Sequence, residues 1–250
     1  MIPGEPLGAG IRIFAVSDLH VDYSSNMDWV NALPGNDHAQ DILIVAGDVT
    51  HDLERLKSAL GTLREKFARV CYVPGNHELW IDRRETQHSL DKFHEVLALC
   101  RSLAVNVEPE RVSRPDGTAV WVVPLYSWYV TPEEGHGSLF APKPGEDPSL
   151  RMWADRYYVK WPSQPGSQRA ADYFLQMNEA WVQRPYDAPV ISFSHFLPRA
   201  DLMLRTPFER SRYGNGPRDP YPEFNFSRVA GCSALDDQLR RIGSSVHVYG

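Results

Sequence analysis

The sequence has few cysteines and no long apolar run. Its 250 residues include only three cysteines, Cys71, Cys100 and Cys232, which lie far apart in the chain. This odd, scattered set does not indicate a disulfide framework, and reduced thiols are typical of cytosolic proteins. No apolar stretch approaches the roughly 20 residues of a membrane-spanning helix. The first ten residues lack the basic and apolar regions of a signal peptide. We therefore expect a cytoplasmic protein.

Positive charge is also scarce. Lysine and arginine total 26 against 32 aspartates and glutamates, which gives a net charge of −6 and an isoelectric point near 5.8. The chain therefore lacks the broad basic field that non-specific nucleic-acid binding requires, and a nucleic-acid partner is disfavoured. With 42% hydrophobic and 23% charged residues, the composition is that of a globular protein. Its length fits one large α/β domain better than two small ones.

Apolar runs rich in β-branched residues alternate with helical patterns along the chain. The predicted strands are Ile11–Ser17, Asp41–Ala46, Arg69–Val73, Ala119–Leu125, Pro189–Ser194 and Ser245–Tyr249. The predicted helices are Asp52–Phe67, Thr86–Leu103, Gln168–Val182 and Ser233–Ile242. This alternation predicts a layered α/β fold. Two stretches, the first long segment (residues 127–167) and the second long segment (residues 198–231), are too long for simple connections and are predicted to be insertions.

Four of the predicted strands are followed directly by residues that can bind metal. Ligands bind at the carboxyl ends of the strands in open α/β sheets. Taken alone, the Asp-x-His, Gly-Asp and His195 groups are more often structural, since a Gly-Asp pair is a common turn, whereas Gly-Asn-His-Glu after an apolar strand is a stronger signal. Their joint occurrence, in order and each at a strand end, is what favours a metal site. The groups are Asp18-Leu19-His20, Gly47-Asp48, Gly75-Asn76-His77-Glu78 and Ser194-His195.

The residue types and their spacing suit divalent cations. Residues i and i+2 of an extended chain point the same way, so Asp18 and His20 can bind one ion together. A carboxylate such as Asp48 can bridge two ions. Carboxylate, imidazole and amide ligands suit Mn, Fe and Zn, with the choice set by geometry and supply. Because Asn76 and His77 are adjacent, we expect one to point towards metal and the other towards substrate.

These four groups resemble the first four signature blocks of the calcineurin-like metallophosphoesterases, and the resemblance runs from Ile11 to Gly250. It implies a four-layer α/β/β/α sandwich with two mixed sheets and a metal site at the carboxyl ends of the strands. It also implies two divalent metal ions. The implied metal ligands are Asp18, His20, Asp48, Asn76 and His195. Of these, Asp18 and His20 would bind the first ion, Asn76 and His195 the second, and Asp48 both.

The sequence departs from the family pattern at two places. The protein serine/threonine phosphatase branch carries a longer Gly-Asp-x-Val-Asp-Arg-Gly block, which the run Gly47–His51 does not match. The fifth block, Gly-His-x-His, should follow an apolar strand, and here the chain supplies the strand and Gly250 and then ends. We therefore expect residues 1–250 to form a single domain that is incomplete at its C-terminus, with a weakened or inactive site. His247 lies within the strand, and we assign it no ligand role.

The function that the resemblance implies is hydrolysis of a phosphate ester by a water or hydroxide that bridges two ions about 3.5–4 Å apart. His77 would be the catalytic residue, protonating the leaving alkoxide or stabilising charge in the transition state. The substrate would be a phosphorylated small molecule or macromolecule. Its identity is expected to depend on the two long segments, and no substrate-binding residue is assigned.

Two alternatives remain open. A phosphodiesterase or nuclease could hold phosphate through arginines of the second long segment and stack a base on aromatic residues of the first. These arginines are Arg199, Arg205, Arg210, Arg212 and Arg218, and these aromatic residues are Trp128, Tyr129, Trp153, Tyr157, Tyr158 and Trp161. The structural interpretation is that these side chains only tie the segments to the sheets. The other alternative is a non-catalytic scaffold that keeps the fold and binds a protein partner.

Overall fold

A computed structural model describes residues 10–81, 87–162, 169–205 and 221–250. Its strands are β1 (Ile13–Val16), β2 (Ile42–Val45), β3 (Arg69–Tyr72), β4 (Glu110–Ser113), β5 (Ala119–Pro124), β6 (Val190–Phe193) and β7 (Ser244–Val248). Its α-helices are α1 (Ser24–Ala32), α2 (Leu53–Lys66), α3 (Ser89–Ser102), α4 (Asp155–Tyr158), α5 (Ala170–Val182) and α6 (Ala234–Arg241). Short 3-10 helices span His77–Leu79, Pro132–Glu134, Ala200–Arg205 and Phe226–Arg228. Within these residues, no helix combines the length and the apolar character needed to cross a membrane.

The described strands form two sheets. The first has the order β1-β2-β3, and its strands all run parallel. The second has the order β4-β5-β6-β7, with β4 antiparallel to β5 and the remaining pairs parallel. The second sheet is therefore mixed, as expected. The first is not, because α1 and α2 connect its consecutive strands as crossovers, which bring each strand back in the same direction.

The two sheets lie face to face between two layers of helices. Alternate residues of β5 show this, since Val122 belongs to the core that includes β2 and α2, whereas Trp121 and Val123 pack with Leu235 and Leu239 of α6. Strand β3 lies against β5. Helix α2 contacts α1 and α3 on one side, and α5 contacts α6 on the other. The predicted four-layer α/β/β/α sandwich is confirmed.

Three regular elements, α1, α4 and β4, escaped the sequence interpretation because their apolar faces are small or absent, and in α4 the one buried residue is Asp155. In α1 only Val30 is buried, and in β4 only Val112 is. The elements that were predicted are present, although most are a few residues shorter than their apolar runs. Asp52 caps α2 as expected, since its side chain accepts a hydrogen bond from the Arg55 N–H at 2.9 Å.

The two long segments pack against each other beside the carboxyl ends of the strands. Arg228 of the second segment is buried and makes ion pairs of 2.6 Å with Glu146 and with Glu133 of the first. Trp153 stacks on Phe224, with ring centroids 5.6 Å apart. A buried arginine that lost both carboxylates would carry an uncompensated charge, so these pairs fix the register between the segments. The described parts of the two segments thus form one layer over one end of the sheets.

Candidate metal centre

The strand ends bring together every residue that the sequence predicted for the site. A cavity of about 550 Å³ opens at the carboxyl ends of β1, β2, β3 and β6. Its floor contains Asp18, His20, Asp48, Asn76, His77 and His195. The parallel direction of these strands explains the convergence, because their carboxyl ends meet on one side of the sheets.

The loops after β1 and β2 run side by side in an unusual backbone conformation. Asp18, His20 and Asp48 have φ values of 54°, 41° and 56°, in the left-handed region that residues other than glycine rarely adopt. The Asp18 N–H donates to the Gly47 carbonyl and the His20 N–H to the Asp48 carbonyl, both at 3.0 Å. Such conformations cost about 1–3 kcal/mol each and cluster at functional sites. All three residues are predicted metal ligands.

Glu78 ties the second loop to the third. Its side chain is fully buried and accepts hydrogen bonds from four backbone N–H groups. Oε2 accepts from Asp48 (3.1 Å) and Gly75 (2.7 Å), and Oε1 accepts from Val49 (2.6 Å) and Thr50 (3.2 Å). Burial, and then the charge of Asp48, raise the pKa of Glu78. The sequence interpretation quoted this glutamate but gave it no role, and the structure shows that it fixes the backbone at Asp48.

Three glycines allow the loops to close around the site. A Cβ at Gly47 would lie 2.7 Å from His195 Nδ1, and one at Gly250 would lie 2.5 Å from the same atom. A Cβ at Gly75 would overlap the Asp48 carboxylate. Real Cβ atoms do not approach other atoms this closely, so each position requires glycine.

We expect Gly75→Ala to weaken metal binding because its methyl group would displace Asp48 and His195 together. A shift of ligands of this kind costs about 10- to 100-fold in affinity. The matched control is Gly61→Ala in α2, where an added Cβ meets nothing within 4 Å and alanine favours the helix by about 1 kcal/mol. Titration of both variants with Mn²⁺ or Zn²⁺ measures the difference, and wild-type affinity in Gly75→Ala would contradict it.

Asp48 lies between two imidazoles. Its Oδ1 atom accepts a hydrogen bond of 3.0 Å from the His77 backbone N–H and lies 3.5 Å from His195 Nε2. Its Oδ2 atom lies 3.7 Å from His77 Nε2. Asp18 Oδ1 lies 3.7 Å from His20 Nε2. Burial raises the pKa of Asp48. A carboxylate with two oxygens directed at different partners is suited to a bridging role.

The surroundings of His195 test whether the residues fit a metal. Its Nδ1 is 2.9 Å from the Ala46 carbonyl, which can only accept, so Nδ1 carries the hydrogen. In the neutral ring, Nε2 then presents a lone pair to Asn76 Oδ1 at 3.1 Å and Asp48 Oδ1 at 3.5 Å. Burial lowers the pKa of His195, but Asp48, Asp18, the Ala46 carbonyl and Glu78 together raise it, so the surroundings of this ring attract positive charge. Three acceptors meet at one point, and a cation satisfies all of them. The site fits a divalent ion.

His77 lies on the other side of Asp48. His20, Asp48 and His77 each offer a ligand atom, and these atoms lie within 4.8 Å of one another. The His77 ring lies 4.5 Å from that of His20 and stacks on Trp80 at 3.6 Å. Burial, and then His20, lower the pKa of His77 to about 4. This position places His77 beside the candidate ligands, where its ring can reach either a bound ion or a bound phosphoester.

The walls of the cavity are apolar. They are built from Trp153, Phe196, Leu197, Leu202, Met203, Phe226, Ala230 and Tyr249. Neither lysine nor arginine occurs among the lining residues that the structure describes. The positive charge that an anionic ligand needs is therefore left, in this part of the chain, to the histidines and to bound cations.

The comparison with known families agrees with this geometry. The family model described as calcineurin-like phosphoesterase matches residues 11–201. The chain belongs to this family. Membership makes it a hydrolase of ester bonds, and the family uses metal ions.

This calcineurin-like phosphoesterase is similar in sequence and in structure to one mycobacterial protein. The chain is 33% identical over 130 residues to [Acyl-carrier-protein] phosphodiesterase PptH of Mycobacterium tuberculosis. The matched region is 50% of this chain and 40% of that relative, so it spans less than half of the relative's length. The crystal structure of Phosphopantetheinyl Hydrolase (PptH) from the same organism superposes with a TM-score of 0.68 at 22% identity, covering 98% of this chain and 83% of that one. At this identity the superposition shows a shared fold.

His247 is held away from the site of this calcineurin-like phosphoesterase. Its ring nitrogens lie 2.8 Å from the Ser192 hydroxyl and 3.0 Å from the Ser194 hydroxyl, between β6 and β7. Burial lowers the pKa of His247 to about 4. The sequence interpretation assigned His247 no ligand role, and its position between the strands agrees with that choice.

The side chains proposed for a nuclease make contacts within the protein wherever the structure describes them. Arg199 pairs with Asp201 at 2.8 Å, whereas Arg210, Arg212, Arg218 and the side chain of Arg205 lie outside the described residues. Trp128 is buried and packs edge-to-face with Trp161 at 5.0 Å. Trp153 stacks on Phe224 and also lines the cavity.

Proposed function

We propose that this chain is a metal-dependent phosphodiesterase. The main support for this proposal is that acceptor atoms of Asp48, Asn76 and His195 lie close together, where one cation can bind all three. We assign Asp18 and His20 to the first ion and Asn76 and His195 to the second, with Asp48 shared by both, and expect Mn, Fe or Zn. When bound, such ions supply Lewis-acid stabilisation of phosphoryl charge and a water of lowered pKa.

His77 completes the proposed chemistry. Its ring lies beside Asp48 and lines the cavity, and it stacks on the indole ring of Trp80. The lowered pKa of His77 leaves the ring neutral at neutral pH, so that its N–H can donate a hydrogen bond to a phosphoryl or leaving-group oxygen. It would therefore stabilise negative charge that develops during the reaction.

A diester fits the described lining better than a monoester does. A monoester dianion carries more charge, and arginine or lysine is common beside such a phosphate, whereas the described lining has neither. A diester carries a single charge and a second substituent, which the apolar walls can bury. The name of the relative, an acyl-carrier-protein phosphodiesterase, points the same way. We propose a substrate in which the phosphodiester joins a carrier protein to an extended, neutral pantetheine arm.

The test compares diester with monoester hydrolysis. Metal-stripped protein is reloaded with Mn²⁺ or Zn²⁺ and assayed with bis(p-nitrophenyl) phosphate and p-nitrophenyl phosphate. We expect kcat/KM to be at least about tenfold higher for the diester, equivalent to about 1.4 kcal/mol of transition-state binding. Mass spectrometry of a holo acyl carrier protein should show loss of its phosphopantetheinyl group. A preference for the monoester contradicts the diesterase, and a chain that takes up no metal supports the scaffold alternative.

His77→Ala should separate the two possible roles of His77. As a charge-stabilising group, His77 can be lost without loss of metal, and turnover should fall most for esters with poor leaving groups. Metal content and kcat are measured for His77→Ala beside His136→Ala, which removes an exposed histidine. Loss of metal together with activity would reassign His77 as a ligand.

A further inference from the structure

A buried carboxylate of the first long segment contacts Asn76 and Trp80 beside the candidate metal centre. Asp155, at the start of α4, is 2% exposed. Its Oδ1 atom accepts hydrogen bonds from Asn76 Nδ2 at 2.8 Å and from Trp80 Nε1 at 2.6 Å. One oxygen thus holds two side chains from the loop after β3. The sequence interpretation did not single out Asp155, because nothing in the first long segment marks it.

The contact with Asn76 decides which end of the amide faces the site. With Nδ2 held by Asp155, Asn76 Oδ1 points at His195 Nε2, 3.1 Å away. An amide rotated by half a turn would instead direct its NH₂ group into the cluster of acceptors. That end carries positive partial charge and cannot bind a cation. Asp155 therefore selects the orientation in which Asn76 can act as a ligand.

The contact with Trp80 acts on the other side of the site. The indole N–H points to Asp155, and the indole ring stacks on His77 with centroids 3.6 Å apart. Rotation of Trp80 would remove the surface against which the His77 ring lies. The same carboxylate oxygen therefore fixes both Asn76 and, through the indole, His77.

The helix that carries Asp155 is itself tied to the site loop. The Ile81 N–H donates to the Tyr158 carbonyl at 2.9 Å, and the Tyr158 ring stacks on Trp80 at 5.3 Å. The Ser89 N–H donates to the Lys160 carbonyl at 2.8 Å. Asp155 is therefore held in place by backbone contacts that do not depend on Asn76.

We propose that Asp155 is a positioning residue, which holds the Asn76 amide with its oxygen towards the second metal ion and holds Trp80 against His77. The inference rests on the proposed function in treating Asn76 as a ligand. It assigns part of the first long segment to the catalytic centre rather than to substrate recognition alone.

The first test compares Asp155→Ala with Asp155→Asn by titrating Mn²⁺ or Zn²⁺ in competition with a chromogenic chelator. Removal of a hydrogen bond that orients a metal ligand lowers metal affinity by about 10- to 100-fold. We expect a loss of this size in Asp155→Ala at the ion that Asn76 binds, and no comparable loss at the other ion. Asparagine keeps an oxygen acceptor at this place, although a neutral acceptor bonds about half as strongly, so Asp155→Asn should restore most of the affinity. Trp80→Phe removes only the indole donor and should leave metal affinity near wild type.

The second test uses a substitution at Asn76 that makes the orientation irrelevant. The two terminal atoms of an aspartate side chain are both oxygens, so in Asn76→Asp an oxygen faces the metal site in either orientation of the side chain. Alone, it places a second buried carboxylate against Asp155, and we expect it to lower metal affinity. In the Asp155→Ala background it should instead raise affinity above that of Asp155→Ala. If the defect of Asp155→Ala came only from looser packing of α4, Asn76→Asp would not restore metal affinity in that background.

The outcomes distinguish this inference from the proposed function. Wild-type metal affinity in Asp155→Ala, or no rescue by Asn76→Asp, overturns the inference and leaves diester hydrolysis standing. A wild-type chain that binds two ions but hydrolyses no phosphodiester overturns the proposed function, while the metal titrations still decide the role of Asp155. A wild-type chain that binds no metal overturns both.

Discussion

Asp48→Asn is expected to leave at most one ion bound per chain and to lower kcat/KM for phosphodiesters by roughly a thousandfold, or about 4 kcal/mol of transition-state stabilisation. Asp48 Oδ1 faces His195 and Oδ2 faces His77, so both oxygens are needed for a shared ligand. Asparagine offers one oxygen and turns an NH₂ group towards the other partner. Metal analysis by mass spectrometry, with kinetics on the reloaded protein, measures both effects.

The loss should not come from unfolding. Asp48 and Glu78 are both buried carboxylates. Burial raises the pKa of Asp48, and burial followed by the charge of Asp48 raises the pKa of Glu78. Neutralising Asp48 removes repulsion, so the metal-free variant should be at least as stable to urea as the metal-free wild type. Asp116→Asn, on an exposed turn, is the control carboxylate. Unchanged metal content in Asp48→Asn would refute the shared-ligand assignment.

Glu78→Gln is expected to lower the free energy of unfolding by about 3 kcal/mol, because a glutamine supplies one acceptor oxygen where the carboxylate supplies two. Two of the four backbone N–H groups that Glu78 now holds would then face an NH₂ group in a buried site. The midpoint of thermal unfolding should fall by roughly 10 °C, at about 2–4 °C per kcal/mol for a chain of this size. Metal affinity should fall as well, since the Asp48 backbone loses its anchor.

The control for this variant is Glu54→Gln, an exposed glutamate in the first turn of α2. Urea unfolding of both variants, with and without metal, separates the loss of stability from the loss of affinity. A Glu78→Gln chain as stable as wild type would show that the N–H groups find other acceptors.

The floor of the site was predictable because its chemistry is local in sequence. Asp18, Asp48 and Asn76 each follow a strand of high apolar content, and a parallel arrangement of strands is enough to bring such positions together. The alternation of strands and helices likewise predicts the layers. None of this required knowledge of a single tertiary contact.

The supports of the site were not predictable, because they depend on burial and on contacts distant in sequence. Glu78 looks like a loop residue until its four donors are located. Asp155 lies 79 residues from Asn76, in a segment with no regular pattern. The second sheet's outer strand β4 has one buried side chain, too few to give a period. These features depend on how segments pack against each other, and no regular sequence pattern marks these segments.

The contact between His195 and the Ala46 carbonyl also has a consequence for the order of folding. The two residues are 149 positions apart, whereas the other five site residues lie between positions 18 and 77. Closing so long a loop is entropically costly and comes late when local contacts form first. A growing or partly folded chain can therefore assemble the N-terminal part of the site, but completes it only when the second sheet docks.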